Sequence, residues 1–103
     1  MDYSHLGDPV GMEALASELL LRAESIAGIA DSLSRRVRAM TFEGPAADRL
    51  RDEMEERRRS AERVAAELQE TAHMLRRSAS AVRDQIHELQ LAEQRMRERG
   101  TSP

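Results

Sequence analysis

Met40-Thr41-Phe42-Glu43-Gly44-Pro45-Ala46-Ala47 is the stretch on which the reading of this chain turns. It is the only interior place where helix-breaking residues interrupt two long helical patterns. Proline disfavours the helical conformation in the residue before it, and Gly44 tolerates backbone angles that other residues resist. Pro45 itself suits the first turn of a new helix, where its missing N–H costs nothing. One helix is therefore expected to end near Met40 and another to start near Pro45. A link this short folds the two back as antiparallel neighbours.

Upstream of the turn, Asp8-Pro9 has the form of a helix start, an N-cap acceptor followed by proline at the first helical position. Helix one is expected over about 9–40, after a frayed segment at 1–7. Its apolar stripe is Met12, Leu15, Leu19, Ala23, Ile26, Ala30, Leu33, Val37 and Met40. Steps alternating between three and four are the seam of a coiled coil. Leu20, Leu21 and Ile29 fall outside it, so the apolar face is wider than one partner helix needs. Downstream, no Gly or Pro occurs from Ala46 to Arg99, and one continuous helix is expected over about 46–99. Its seam runs from Ala47 through Leu50, Met54, Arg57, Ala61, Val64, Leu68, Ala72, Leu75 and Ala79 to Val82, Ile86 and Leu89. Residues 1–99 then form one helical-hairpin domain with its turn at 41–45, and 100–103 a disordered tail.

The two stripes predict a register. In an antiparallel hairpin, facing residues have a constant sum of numbers, and a sum of 87 pairs Val37 with Leu50, Leu33 with Met54, Leu19 with Leu68 and Met12 with Leu75. Each stripe also has one double four-residue step, at 15-19-23 and 64-68-72, and the same register sets these irregularities opposite each other. Arg57 is left facing Ala30, its stem on the seam and its head turned to solvent. Val82, Ile86 and Leu89 extend past the start of helix one, with only Tyr3 and Leu6 available to fold back over them. A lone helix pair buries one stripe per helix and is marginal. The fold class expected is all-α: an antiparallel two-helix hairpin with a long second helix, assembling into a four-helix bundle through Val82, Ile86, Leu89, Leu20, Leu21 and Ile29.

Composition narrows the function. With 2% aromatic residues the chain cannot build a thick core, and 40% hydrophobic with 34% charged residues is the mix of long helices. All 16 basic residues are arginine, yet the net charge is −3, which argues against nucleic acid. The run Arg57-Arg58-Arg59 is interleaved with Glu53, Glu55, Glu56 and Glu62, which cancel most of its field. Without cysteine there are no disulfides or thiolate metal sites. No ordinary secretory signal and no membrane span are expected, so the chain is cytoplasmic or leaves by a route that reads no such signal. No catalytic, metal or cofactor residues are assigned. His73 and His87 share a heptad position but stand roughly 21 Å apart along a helix, too far to share a metal. Carboxylates mesh with arginines four residues away, as in Glu18 with Arg22, Asp31 with Arg35, Glu53 with Arg57, Arg63 with Glu67 and Glu93 with Arg97. That is a solvated helix surface.

On the residues of the turn, Phe42-Glu43-Gly44 followed by Pro45-Ala46-Ala47, the chain resembles the small WXG-type helical-hairpin proteins of the type VII secretion system of actinobacteria and related bacteria. The resemblance covers roughly Val10 to Leu89. It implies Phe42, Gly44 and Pro45 as the turn motif, and a homodimer or heterodimer with another hairpin protein or the N-terminal domain of an effector. It further implies secretion without an ordinary signal peptide, with a cytoplasmic stage before export. In that family a Trp-x-Gly turn in one partner is thought to join a Tyr-x-x-x-Asp/Glu motif after the second helix of the other. Here phenylalanine replaces tryptophan and no tyrosine follows Tyr3, so a partner would have to supply the tyrosine motif. A cytoplasmic adaptor or chaperone for a secreted effector, and a generic coiled-coil scaffold, are the alternative readings.

Overall fold

The computed structural model describes residues 2–101, with the side chain of Thr101 left aside. Two helices, α1 at Pro9–Ala39 and α2 at Pro45–Thr101, pack against each other as a hairpin, preceded by a short 3-10 turn at Ser4–Leu6. Among the described residues there is no strand. The molecule is a rod of 91 × 15 × 14 Å. Its length is set by α2, whose 57 residues at about 1.5 Å each would span some 85 Å.

Local chemistry explains the boundaries. The Asp8 carboxylate accepts from the Gly11 N–H at 3.0 Å, satisfying one orphan donor of α1, and Pro9 fills the first position. At the far end the Met40 N–H donates to the Val37 carbonyl at 3.3 Å while Met40 itself is already extended. Gly44 takes φ 108°, a conformation that costs a residue with a Cβ, and its carbonyl accepts from the Asp48 N–H at 3.0 Å to start α2. At the other end α2 runs through Gly100 into Thr101, where the sequence predicts a disordered tail from residue 100. Gly100 does not adopt the left-handed angle that would cap the helix. Ser102 and Pro103 lie outside the described residues.

The contact line between the helices keeps Ala23, Ala47, Ala72 and Ala79 of the expected seam and departs from the rest of it. Buried positions are Ala16, Ala23 and Ser34 on α1 and Ala47, Ala65, Ala72 and Ala79 on α2. Ala16, Ser34 and Ala65 do not belong to the predicted stripes, and no large aliphatic residue of those stripes is fully buried. Leu15 and Leu33 stay 46% and 44% exposed, Val64 44% and Met40 53%. The register itself survives, since Leu19 and Leu68 line one cleft and Leu33 and Met54 the next. What has shifted is the rotation of both helices. Alanine at the line of closest approach lets the backbones come nearer than leucine would. The large side chains are thereby turned to one flank of the hairpin.

Residues 2–7 are ordered against α2 rather than frayed. Asp2 accepts from the Ser4 N–H and hydroxyl, both at 2.9 Å, and these bonds hold its carboxyl below the usual carboxylate range. The Tyr3 hydroxyl donates to Glu93 at 2.6 Å, and a Cβ at Gly7 would stand 3.4 Å from Val82. The Met12 Cε would stand closer, at 3.0 Å, and φ here is 126°, and both favour glycine.

Candidate partner-docking surface

Three regions carry the residues singled out in the sequence. The first is the turn. Phe42 is half-buried, and the Arg51 guanidinium lies over its ring at 4.9 Å from the centroid. The same Arg51 nitrogen, Nη2, donates to the Met40 carbonyl at 3.1 Å and the Phe42 carbonyl at 2.9 Å. Carbonyls at a helix C-terminus lack intrahelical partners, so Arg51 supplies what the end of α1 leaves open. Sequence reasoning assigned Arg51 no role at the turn. Its position two turns into α2, beside the carbonyls at the end of α1, is the signal that could have found it.

The second region is the distal part of α2. Val82 and Ile86 are half-buried and Leu89 is 39% exposed. The N-terminal segment covers part of this stretch: Tyr3 and His5 stand with Leu89, Ala92, Glu93 and Met96 around one shallow cleft. The phenol of Tyr3 is raised above its ordinary range, first by its hydrogen bond to Glu93. A second tie joins the ends, with both Arg83 Nη atoms bound to the Glu13 carboxylate, Nη2 at 2.8 Å. Glu13 is lowered, first by that bond, and Arg83 is raised by it. Neither cross-helix pair could be read from spacing within one helix.

The third region is the flank of large aliphatic residues. Leu15, Leu19 and Ile26 of α1 line a cleft with Leu68 of α2, and Ile29, Ala30, Leu33 and Val37 line its continuation with Met54 and Arg57. Both helices thus turn their large apolar residues to the same side of the hairpin. Of the wide-face residues, Ile29 joins this flank. Leu20 is half-buried on the opposite side of the alanine line, and Leu21, 68% exposed, points away from α2. Arg57 sits at the edge of the cleft with its side chain 72% exposed, bound to Glu53 at 3.4 Å.

Elsewhere several charges are paired. Arg58 bridges Glu55 and Glu62, the latter at 2.6 Å, and Arg59 reaches Glu55 at 3.9 Å, so the arginine run is accompanied by carboxylates. Glu55 also accepts from the buried Ser34 hydroxyl at 3.4 Å, and Arg58 chiefly holds its carboxyl below the usual range. Glu18–Arg22, Asp31–Arg35 and Glu93–Arg97 are present as expected, whereas Arg63 donates to Ser60. His73 and His87 are exposed. Among the described residues no cluster of three or more His, Asp or Glu could hold a metal ion, and no helix is long and apolar enough to cross a membrane.

A family model described as proteins of 100 residues with WXG matches residues 7–85 of this chain. No curated protein and no solved structure matches it significantly.

Proposed function

The chain belongs to the WXG100 family of small helical proteins associated with type VII secretion, and from that premise we propose that it works by helix packing, as a secretion substrate or secretion-associated partner. The family is non-enzymatic, its members commonly form hairpin dimers, and they leave through type VII systems without an ordinary signal peptide. The observation that carries the reading for this chain is the open aliphatic flank of Leu15, Leu19, Ile26, Leu33 and Val37, with Leu68 and Met54 beside them. A contiguous apolar face on a water-soluble rod marks a contact surface. Covering each large side chain is worth about 1.5–3 kcal/mol, enough in sum to drive assembly into a four-helix bundle. Val82, Ile86 and Leu89 serve as a secondary contact, since the chain's own N-terminal segment already shields part of them. Phe42, held by Arg51 at the bundle's end, stands where the family motif has tryptophan.

The test is export. Tagged chain is expressed in a host with a type VII system and followed in lysate and culture medium, with and without the secretion ATPase. ATPase-dependent appearance in the medium is expected, and Leu33→Glu is expected to reduce it. Full retention in the lysate in both hosts would refute the reading.

A further inference from the structure

We propose that Thr41 is a phosphorylation site, the acceptor for a serine/threonine kinase that recognises arginine on the N-terminal side of its target. The backbone singles this residue out. Among the described residues, Thr41 is the one serine or threonine that lies outside a helix or 3-10 turn. Met40 before it is already extended, at φ −69° and ψ 135°, and residues 41–43 have no regular structure. Thr41 is exposed, and its hydroxyl meets no hydrogen-bond partner among the described residues. By contrast the Ser4 hydroxyl is bound to Asp2, and Ser34 is buried. Phosphoryl transfer needs the acceptor oxygen in line with the γ-phosphorus at roughly 3–3.5 Å. A loop at the end of a rod can be drawn into an enzyme's cleft, where a hydroxyl on a packed helix cannot.

The residues leading into Thr41 carry the recognition element. Arg36-Val37-Arg38-Ala39-Met40-Thr41 sets arginines three and five residues before the acceptor. Residues two apart lie on one side of an extended chain, so Arg36 and Arg38 address one acidic surface together once the end of α1 is drawn out. Both are exposed and sit in the last turn of α1, whose closing bond from the Met40 N–H to the Val37 carbonyl is 3.3 Å long. A helix end held this way frays at little cost. Ser25, Ser60 and Ser80 also follow an arginine by three residues. Each lies inside a helix, however, and five residues before it stands Leu20, Glu55 or Leu75 instead of a second arginine.

In the reaction the Thr41 Oγ attacks the γ-phosphorus of ATP. The new P–O bond forms as the bond to the β,γ-bridging oxygen breaks, ADP leaves, and the hydroxyl proton passes to a carboxylate of the kinase. A cation waits beside the product, because Thr41 lines one cleft with Met40, Phe42, Glu43 and Arg51. A phosphate carrying about −1.5 to −2 charges attracts Arg51 more strongly than do the neutral carbonyls of Met40 and Phe42, which hold its Nη2 at 3.1 and 2.9 Å. Phosphorylation therefore draws the guanidinium off those carbonyls and off the Phe42 ring. The negative end of α1 repels the same phosphate, which opens the last turn further.

The full chain is incubated with ATP, magnesium and the catalytic domain of an arginine-directed serine/threonine kinase, and mass spectrometry follows and locates the transfer. Expected are one phosphoryl group on Thr41, its retention in Thr41→Ser, its loss in Thr41→Ala, and about tenfold slower transfer when Arg36 and Arg38 are both changed to alanine. Circular dichroism checks that each variant keeps its helices. No transfer to the wild type, transfer that persists in Thr41→Ala, or a rate unchanged by loss of both arginines would overturn the site. Phosphorus NMR then titrates the attached phosphate, whose second pKa is ordinarily about 6. A guanidinium beside it lowers that value, so the wild type should titrate lower than Arg51→Gln. Equal values in the two would refute capture by Arg51. None of these variants touches the aliphatic flank, so export and partner binding through Leu33 are decided separately.

Discussion

Replacing Arg51 with alanine should loosen the hairpin turn while leaving both helices intact. The Arg51 side chain is 30% exposed and makes three contacts with the turn: two hydrogen bonds from Nη2 to the Met40 and Phe42 carbonyls, and a stack on the Phe42 ring. Charge-assisted hydrogen bonds contribute about 1.5–3 kcal/mol when buried and less when solvent competes. A cation over an aromatic ring adds about 0.5–1 kcal/mol at an exposed site. Allowing for the exposure, the loss should be about 2 kcal/mol. For a domain of this size that lowers the melting temperature by about 8–15 °C at fixed protein concentration. Arg51→Lys keeps a charge over the ring but has a shorter reach and no planar fork, so about half the loss is expected. Thermal unfolding by circular dichroism gives the magnitude. Amide exchange at Phe42, whose N–H donates to the Met40 carbonyl at 3.1 Å, gives the location. A melting temperature within about 2 °C of the wild type, with unchanged exchange at Phe42, would show that the turn holds itself and that the clamp is incidental.

Gly44→Ala should cost about 1–2 kcal/mol: nothing lies within 4 Å of an added Cβ, so the penalty is backbone strain at φ 108° alone, and chemical denaturation reads it. Ala72→Leu should destabilise by about 1–3 kcal/mol, because Ala72 is fully buried on the contact line and a larger side chain forces the helices apart; the denaturation midpoint measures this, and an unchanged midpoint would contradict the observed rotation of the helices. Acid should weaken the hairpin through Glu13 and Glu55. Both carboxyls are lowered in the fold, by Arg83 and Arg58 respectively, so their stabilisation is present above the ordinary value of 4.5 and is lost as pH falls through their folded values. Unfolding midpoints followed from pH 6 to pH 3 should therefore decline below about 4.5, and less steeply in Glu13→Gln.

How legible each part was depended on how far its cause lies along the chain. Gly44 and Pro45 act on their own backbone, so the turn could be read locally. The absence of such residues from Ala46 to Arg99 made α2 readable as one helix. Glu13–Arg83 and Tyr3–Glu93 join opposite ends of the sequence, and no spacing rule within one helix reaches them. The contact line was legible only in part, for a different reason. Periodicity finds the direction in which large apolar side chains accumulate, and that direction was taken to face the other helix. It lies instead toward the flank, while Ala16, Ser34 and Ala65, outside the stripes, are buried on the contact line. A stripe in a sequence records which side chains are apolar; it does not say which surface they face.

That separation divides the energetics of the molecule in two. The residues that bring α1 and α2 together are the smallest apolar ones available, and burying an alanine removes little more than one methyl group from water, worth about 0.8 kcal/mol. The leucines, valine and isoleucine, each worth about twice that or more, are held back at the surface. The alanine line therefore fixes geometry, a close approach of the antiparallel helices that sets both aliphatic stripes side by side, and on the proposed function the stripes add free energy when a partner covers them. On the proposed function, folding of the hairpin and its assembly are linked: a partner that covers the flank also stabilises the hairpin, and the apparent stability is expected to rise with partner concentration. Substitutions then separate by location. A charge at Leu33 acts on the exposed flank and should remove the concentration dependence of melting while sparing helix pairing. A bulky residue at Ala72 acts on the closest approach and should lower stability at every concentration. A molecule whose strongest contacts were inside the hairpin would show the opposite order.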